Sequence, residues 1–146
     1  MDRLDRAILH HLEQDGRLSN VELAERVRLS PSATLRRVRR LEAGGAITGY
    51  TAVIDPNAVG RGYQVTVHTT LMLRNRETIE AFEAALLELD EVVEAHRMFG
   101  DPDYLVRVAV ADAEAYERFL INTFADLPGL ARMTSQFTMK TLRAAR

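Results

Sequence analysis

Two helix-start signals eleven positions apart constrain this chain more than any other feature. In "SNVELAERV", Ser19 and Glu22 form an S-x-x-E box in which each side chain can accept the other's free backbone amide. In "LSPSATLRRVRRLEAGG", Ser30 supplies a capping hydroxyl. Pro31 follows at the first helical position, where a missing N–H costs nothing, and Gly44-Gly45 ends the run. Val21, Leu23, Ala24 and Val27 mark the shorter helix, which leaves roughly three residues for the turn between the two. Upstream, Leu4, Ile8, Leu9 and Leu12 repeat at helical spacing until Asp15-Gly16. A longer helix followed by two short ones, tightly joined, is the helix-turn-helix arrangement.

The third helix carries the chemistry. At about 100° per residue, Leu35, Val38 and Leu41 are expected on the packed side. Arg36 and Arg40 fall opposite with Ser32 and Ala33, and Arg37 and Arg39 flank them. Small residues at the helix start allow close approach to base edges, while arginines reach phosphates or clamp a guanine. The bland reading is a solvated helix face, but glutamates four positions away that would neutralise it are scarce. Charge agrees with DNA contact: residues 1–62 hold ten arginines against eight acids, whereas residues 63–146 hold nine basic groups against thirteen acids. After the glycine stop, "AITGYTAVIDP" predicts a strand or small wing closing at Pro56, and "NAVGRGY" a linker.

In the second half, Val65, Val67, Thr69, Leu71 and Leu73 alternate as a strand with one buried face. Ile79, Phe82, Leu86 and Leu89 follow at helical spacing. "VVEAHRMF" and "DYLVRVAVAD" read as two strands around the turn "GDPD". Asp112 caps a helix bearing Tyr116, Phe119, Leu120 and Phe124, and "LARMTSQFTMKTL" is a last strand. Strand, helix, strand, strand, helix, strand is the split order of a ferredoxin-like domain, so the chain is α+β. Both helices cover one sheet face. The other, with Thr, His and Met, implies a partner surface, and two such sheets back to back would supply the two-fold symmetry a helix-turn-helix protein uses on DNA.

The composition removes other classes. No cysteine means no disulfide, thiolate metal site or thiol catalysis. No run approaches the roughly 20 apolar residues of a membrane span, and "MDRLDRAILHH" lacks the order of a secretory signal, so a cytoplasmic protein is expected. His10, His11, His68 and His96 show no metal-ligand spacing, and no serine sits in a nucleophile elbow. An enzyme is therefore not expected, and neither is a metal or cofactor. RNA binding on the open sheet lacks the stacking aromatics it would need.

Taken together, "LDRAILHHLEQDGR", "SNVELAERVRLSPSATLRRVRRLEAGGAITGY", "FGDPDYL" and the late "LPGL" resemble the Lrp/AsnC, or feast/famine, family of transcriptional regulators over essentially the whole chain. The resemblance implies a winged helix-turn-helix domain at residues 1–54, a linker at 55–63 and a ferredoxin-like effector-binding and oligomerisation domain at 64–146. It further implies double-stranded DNA as partner, a small effector that is usually an amino acid, and homodimers that often assemble into octamers. Carried over by position, the DNA-reading set is Ser30, Ser32, Thr34, Arg36, Arg37, Arg40 and Tyr50. The effector set is Gly100, Asp101, Asp103, Tyr104, Thr134, Ser135 and Gln136, where Asp101 or Asp103 would meet an ammonium and the Gly100 amide a carboxylate. An architectural, nucleoid-type DNA-binding protein without a ligand response is the alternative reading of the same features.

Overall fold

A computed structural model describes residues 1–140 and Leu142; Thr141 and residues 143–146, the last part of the expected second domain, lie outside the described residues. The chain divides into two compact units that part at Val53/Ile54.

The first unit holds α1 (Arg3–Gln14), α2 (Asn20–Val27) and α3 (Pro31–Ala43). Each start is capped by a side chain. Asp2 and Asp5 form a capping box on α1 and Ser19 and Glu22 another on α2, while Ser30 Oγ accepts the Ala33 amide at 3.2 Å. α2 ends on Arg28, left-handed at φ 55°, and the Leu29 amide reaches back to the Ala24 carbonyl at 3.0 Å. This six-to-one closure turns the chain sharply into Ser30. Ile8, Leu23, Val27 and Leu41 form the core, with Leu9, Leu12, Leu18, Val38 and Ile47 packed around it.

Three expectations for residues 1–63 are corrected. Leu35 is exposed, as is Val21: Leu35 lies about 60° round the helix from Val38, beyond the edge of the buried stripe. The wing does not form, because residues 46–55 join no ladder. The Ala46 and Ile47 amides are both taken by the Leu41 carbonyl, and the unit has no strand to pair with. The expected linker is also partly ordered: Asp55 caps a 3-10 turn at Pro56–Val59, and the following strand already begins at Tyr63.

The second unit is β1 (Tyr63–Leu71), α4 (Arg76–Leu87), β2 (Val92–Arg97), β3 (Tyr104–Val110), α5 (Ala113–Asn122), a 3-10 turn at Phe124–Asp126 and β4 (Leu130–Phe137). All neighbours pair antiparallel in the order β2-β3-β1-β4, the ferredoxin-like sheet. Period-two burial decides which face is dry. Val65, Val67, Leu71, Tyr104, Val106 and Val108 meet Phe82 and Leu86 of α4 and Tyr116 and Phe119 of α5. The helix-free face presents Gln64, Thr66, His68 and Thr70 beside Leu105, Arg107 and Ala109.

β1 stops two residues short of Leu73, which is exposed. The Leu71 amide is claimed by the Asp103 side chain and the Met72 amide by the Gly129 carbonyl. β4 likewise ends at Phe137, before the fully exposed Met139. Gly129 is held at φ 74°, where other residues are strained, and a Cβ there would lie 2.3 Å from Thr78 Cγ2, so the Thr78 side chain would have to move aside.

Candidate functional site

α3 distributes its arginines differently from the expected pattern. Its buried face is Thr34, Leu41 and the half-buried Arg37 and Val38, which fixes the opposite sector of about 100° as Ser32, Leu35, Arg36, Arg39 and Ala43. Ser32, Arg36 and Arg39 are exposed on one stripe, and among the described residues neither arginine has a carboxylate at ion-pair distance. Arg39, which the carried-over set omits, thus stands with Arg36.

Thr34 is fully buried and its Oγ1 donates to the Ser30 carbonyl at 3.1 Å, so it closes the first turn and faces the core. Ser30 caps the helix, with its hydroxyl 3.2 Å from that of Ser32. Tyr50 lies outside any strand, is exposed, and donates its hydroxyl to Glu42 Oε1 at 3.0 Å; burial, then Glu42, raises its pKa.

Arg37 and Arg40 turn toward α1. Arg37 Nη1 donates to Asp2 Oδ2 and Asp5 Oδ1, each at 2.7 Å, and Arg40 Nη2 to both oxygens of Asp5 at 2.8 and 2.7 Å. The Asp2 carboxyl is held down at about 2, first by the Asp5 amide and then by Arg37. That of Asp5 is also lowered, first by the Asp2 amide and then, against burial, by the two guanidiniums. Arg37 in turn is raised by Asp2 and Asp5. Sequence reasoning passed over this cluster. Its one local signal was the D-x-x-D spacing of a capping box; the arginines lie more than thirty residues away.

In the second unit the turn residues part company. Asp103 is buried: its Oδ2 accepts the Leu71 amide at 2.8 Å and its Oδ1 meets Arg74 Nε at 2.6 Å, so its charge is consumed in closing β1. Asp101 is exposed, with Thr70 Oγ1 and Arg132 Nη2 each 3.5 Å from its Oδ1. Gly100, at φ 132°, takes a conformation other residues rarely adopt. Tyr104 is buried against Phe82, its hydroxyl donating to Glu83 at 2.9 Å; burial and then Glu83 push its pKa up to about 12, so it stays a protonated donor.

The expected strand set also divides. Ser135 bonds the Tyr116 hydroxyl at 2.6 Å on the helix side, whereas Thr134 and Gln136, opposite His68 and Thr66, face the open side. Alternation along β4 therefore prevents the three side chains from meeting one ligand within a single chain. The turn instead sits beside Thr70 and Arg132 at one end of the sheet. Among the described residues, no group of three or more histidine or acidic side chains is placed to hold a metal.

Comparison with known proteins places this geometry. Residues 1–42 match the AsnC-type helix-turn-helix domain and residues 64–146 the Lrp/AsnC ligand binding domain. The chain is 43% identical over 143 residues to the leucine-responsive regulatory protein of Salmonella typhimurium, covering 98% of this chain and 87% of that one. Its fold superposes on a transcriptional regulator from Neisseria meningitidis, solved as a complex with L-Met, with a TM-score of 0.93 at 33% identity; the match covers 99% of this chain and 93% of that one. For an AsnC family regulator from Agrobacterium tumefaciens the TM-score is 0.90 at 36% identity, over 99% and 94% of the two chains. With both halves matched in order and relatives covered nearly end to end, the chain belongs to the Lrp/AsnC family of transcriptional regulators.

Proposed function

We propose that this regulator reads double-stranded DNA in a sequence-dependent way through the outer stripe of α3 and that its DNA binding or assembly answers to an amino acid. The observation that carries the first half is the stripe itself: Ser32, Arg36 and Arg39 stand exposed on one face, behind a capped helix start and without acidic neighbours at ion-pair distance among the described residues. Ser32 sits near the helix start, where base edges are reached, while the two arginines project toward guanine edges or phosphates. Ser30 and Thr34 hold the start of the helix in shape, and Tyr50 meets Glu42 near its far end.

The second half is supported by the L-Met complex of the Neisseria regulator and by the polar end of the sheet. There Asp101, Thr70 and Arg132 offer an acid for an ammonium and a guanidinium for a carboxylate, beside Gly100. Thr134 and Gln136 contribute from the open face, on which we place a second copy of the chain, with octamers as a higher assembly. Asp103, Tyr104 and Ser135 are assigned to holding the turn and strand in shape. We place the protein in the cytoplasm; among the described residues no helix is long and apolar enough to cross a membrane.

The test is a pair of substitutions on DNA selected by the wild-type chain from a random-sequence library. Arg36→Ala and Arg39→Ala should each weaken binding by about 1–3 kcal/mol, and a phosphate-contacting arginine should also reduce the salt slope by about one. Equal losses on random duplex would move the reading to an architectural protein.

A further inference from the structure

Asp5 has more partners than a helix cap requires. It is 2% exposed, yet its carboxylate takes the Asp2 amide at 3.1 Å, Arg37 Nη1 at 2.7 Å and Arg40 Nη2 on both oxygens. The roughly four acceptor positions of a carboxylate are thereby filled. Capping alone needs none of this reach: Ser19 and Glu22 close the same box on α2 at the surface, with no charge drawn in from α3.

Two guanidiniums on one carboxylate set a geometry that the core leaves free. Ile8, Leu23, Val27 and Leu41 hold the three helices together, but apolar burial has no direction and tolerates a small roll of α3 about its own axis. Arg37 and Arg40 lie one turn apart on α3, and their donors reach a single group at a fixed point of α1. A roll or slide of α3 lengthens at least one of those directional bonds. The stripe of Ser32, Arg36 and Arg39 projects from the side of α3 opposite Thr34 and Leu41, so what fixes the roll also fixes where that stripe points.

The same contacts alter the charge that DNA would meet. Arg37 is 23% exposed and committed to two aspartates; Arg40 is 63% exposed and would be a mobile phosphate-seeking cation if Asp5 did not hold its tip. Non-specific binding asks only for cations near phosphates, whereas base reading asks for side chains at fixed positions.

We infer that Asp5 is a positioning residue for DNA discrimination: it sets the roll of α3 and withholds Arg40 from the phosphate backbone. This rests on α3 being the DNA-reading helix. Removing the charge releases Arg40, so affinity for any duplex rises while preference for the selected one falls.

The experiment compares the full chain with Asp5→Asn and Arg37→Lys by fluorescence anisotropy over a salt series. Two duplexes of equal length are used, one enriched by the wild-type protein and one of random sequence. Asp5→Asn should bind the random duplex more tightly and lose about tenfold or more in the ratio of the two affinities, with a salt slope steeper by about one. Arg37→Lys keeps the charge but not the paired contacts, so it should lower the ratio with little change in salt slope. It also serves where Asp5→Asn does not fold. A ratio unchanged within about twofold in the folded variants, whatever the melting temperature does, would overturn the inference and leave Asp5 a stability element. Failure of the underlying reading looks different: the wild type would enrich no sequence, or Arg36→Ala would leave both affinities where they were.

Discussion

Asp103 and Asp101, two residues apart, answer to different constraints, and each can be asked separately. Asp103→Asn keeps the size of the side chain but gives up a charge-assisted bond to Arg74 and weakens the acceptor for the buried Leu71 amide; an unsatisfied group of that kind costs about 1–3 kcal/mol. Urea unfolding of the variant should show that loss with an unchanged slope. Asp101→Asn, at an exposed position with only long contacts, should stay within about 0.5 kcal/mol of wild type. Any defect it shows should therefore appear in ligand response rather than in folding. The sequence displayed the two acids and their proline but not this division, because the partners that separate them lie about thirty residues away and become neighbours only when β1 pairs with β3. A second residue-scale expectation concerns acid. Asp2 and Asp5 have folded-state pKa values depressed below the ordinary 3.8, so their contribution is present above that value. It should drain away as pH falls from 3.8 toward about 2, the folded value of Asp2. The melting temperature of the first unit followed from pH 5 to about pH 2 should fall less steeply in Asp2→Asn than in wild type.

Elements were legible where their cause is local. The Ser19–Glu22 box, the Ser30-Pro31 start and the alternation of Val65, Val67, Thr69 and Leu71 all formed as their spacing requires, since caps and pleats act over three or four residues. Element ends were less legible. The apolar run continues through Met72 and Leu73, and only the capture of the Leu71 and Met72 amides by distant groups stops the strand. The absent wing follows the same logic: "AITGYTAVIDP" has strand-forming residues but no neighbour strand within its unit to satisfy them. The turn between α2 and α3 permits a direct test of backbone strain. Arg28 sits at φ 55° where a side chain costs about 1–2 kcal/mol and glycine costs little. Arg28→Gly should therefore stabilise the first unit by about 0.5–1 kcal/mol in denaturant unfolding, the remainder being lost to the greater freedom of glycine when unfolded. A destabilised variant would mean that the arginine side chain is worth more than the strain it imposes.

At the scale of the whole chain, two cores that share no residue should respond to ligands separately. The first, on three short helices, is small and depends on Ile8, Leu23, Val27 and Leu41; the second buries four strands under two helices. A ligand that binds only the folded second unit stabilises that unit by RT ln(1 + [L]/Kd), about 2.7 kcal/mol when it is present at a hundred times its Kd. For a domain of 60–100 residues each kcal/mol moves the midpoint by about 4–8 °C, so a true effector should shift the second unit's transition by roughly 10 °C or more. Screening the twenty amino acids by differential scanning calorimetry, with sedimentation velocity on the same samples, therefore tests effector and assembly together. A small set of amino acids should raise the transition lost in Phe82→Ala and leave in place the one lost in Ile8→Ala, since Phe82 belongs to the second core and Ile8 to the first. If the open face bearing Thr66, His68, Arg107, Thr134 and Gln136 is covered by a second copy, the second transition should also rise with protein concentration in the absence of ligand. A transition indifferent to all twenty amino acids would remove the effector reading while leaving the DNA reading intact. One indifferent to concentration, with sedimentation as a monomer, would remove the dimer.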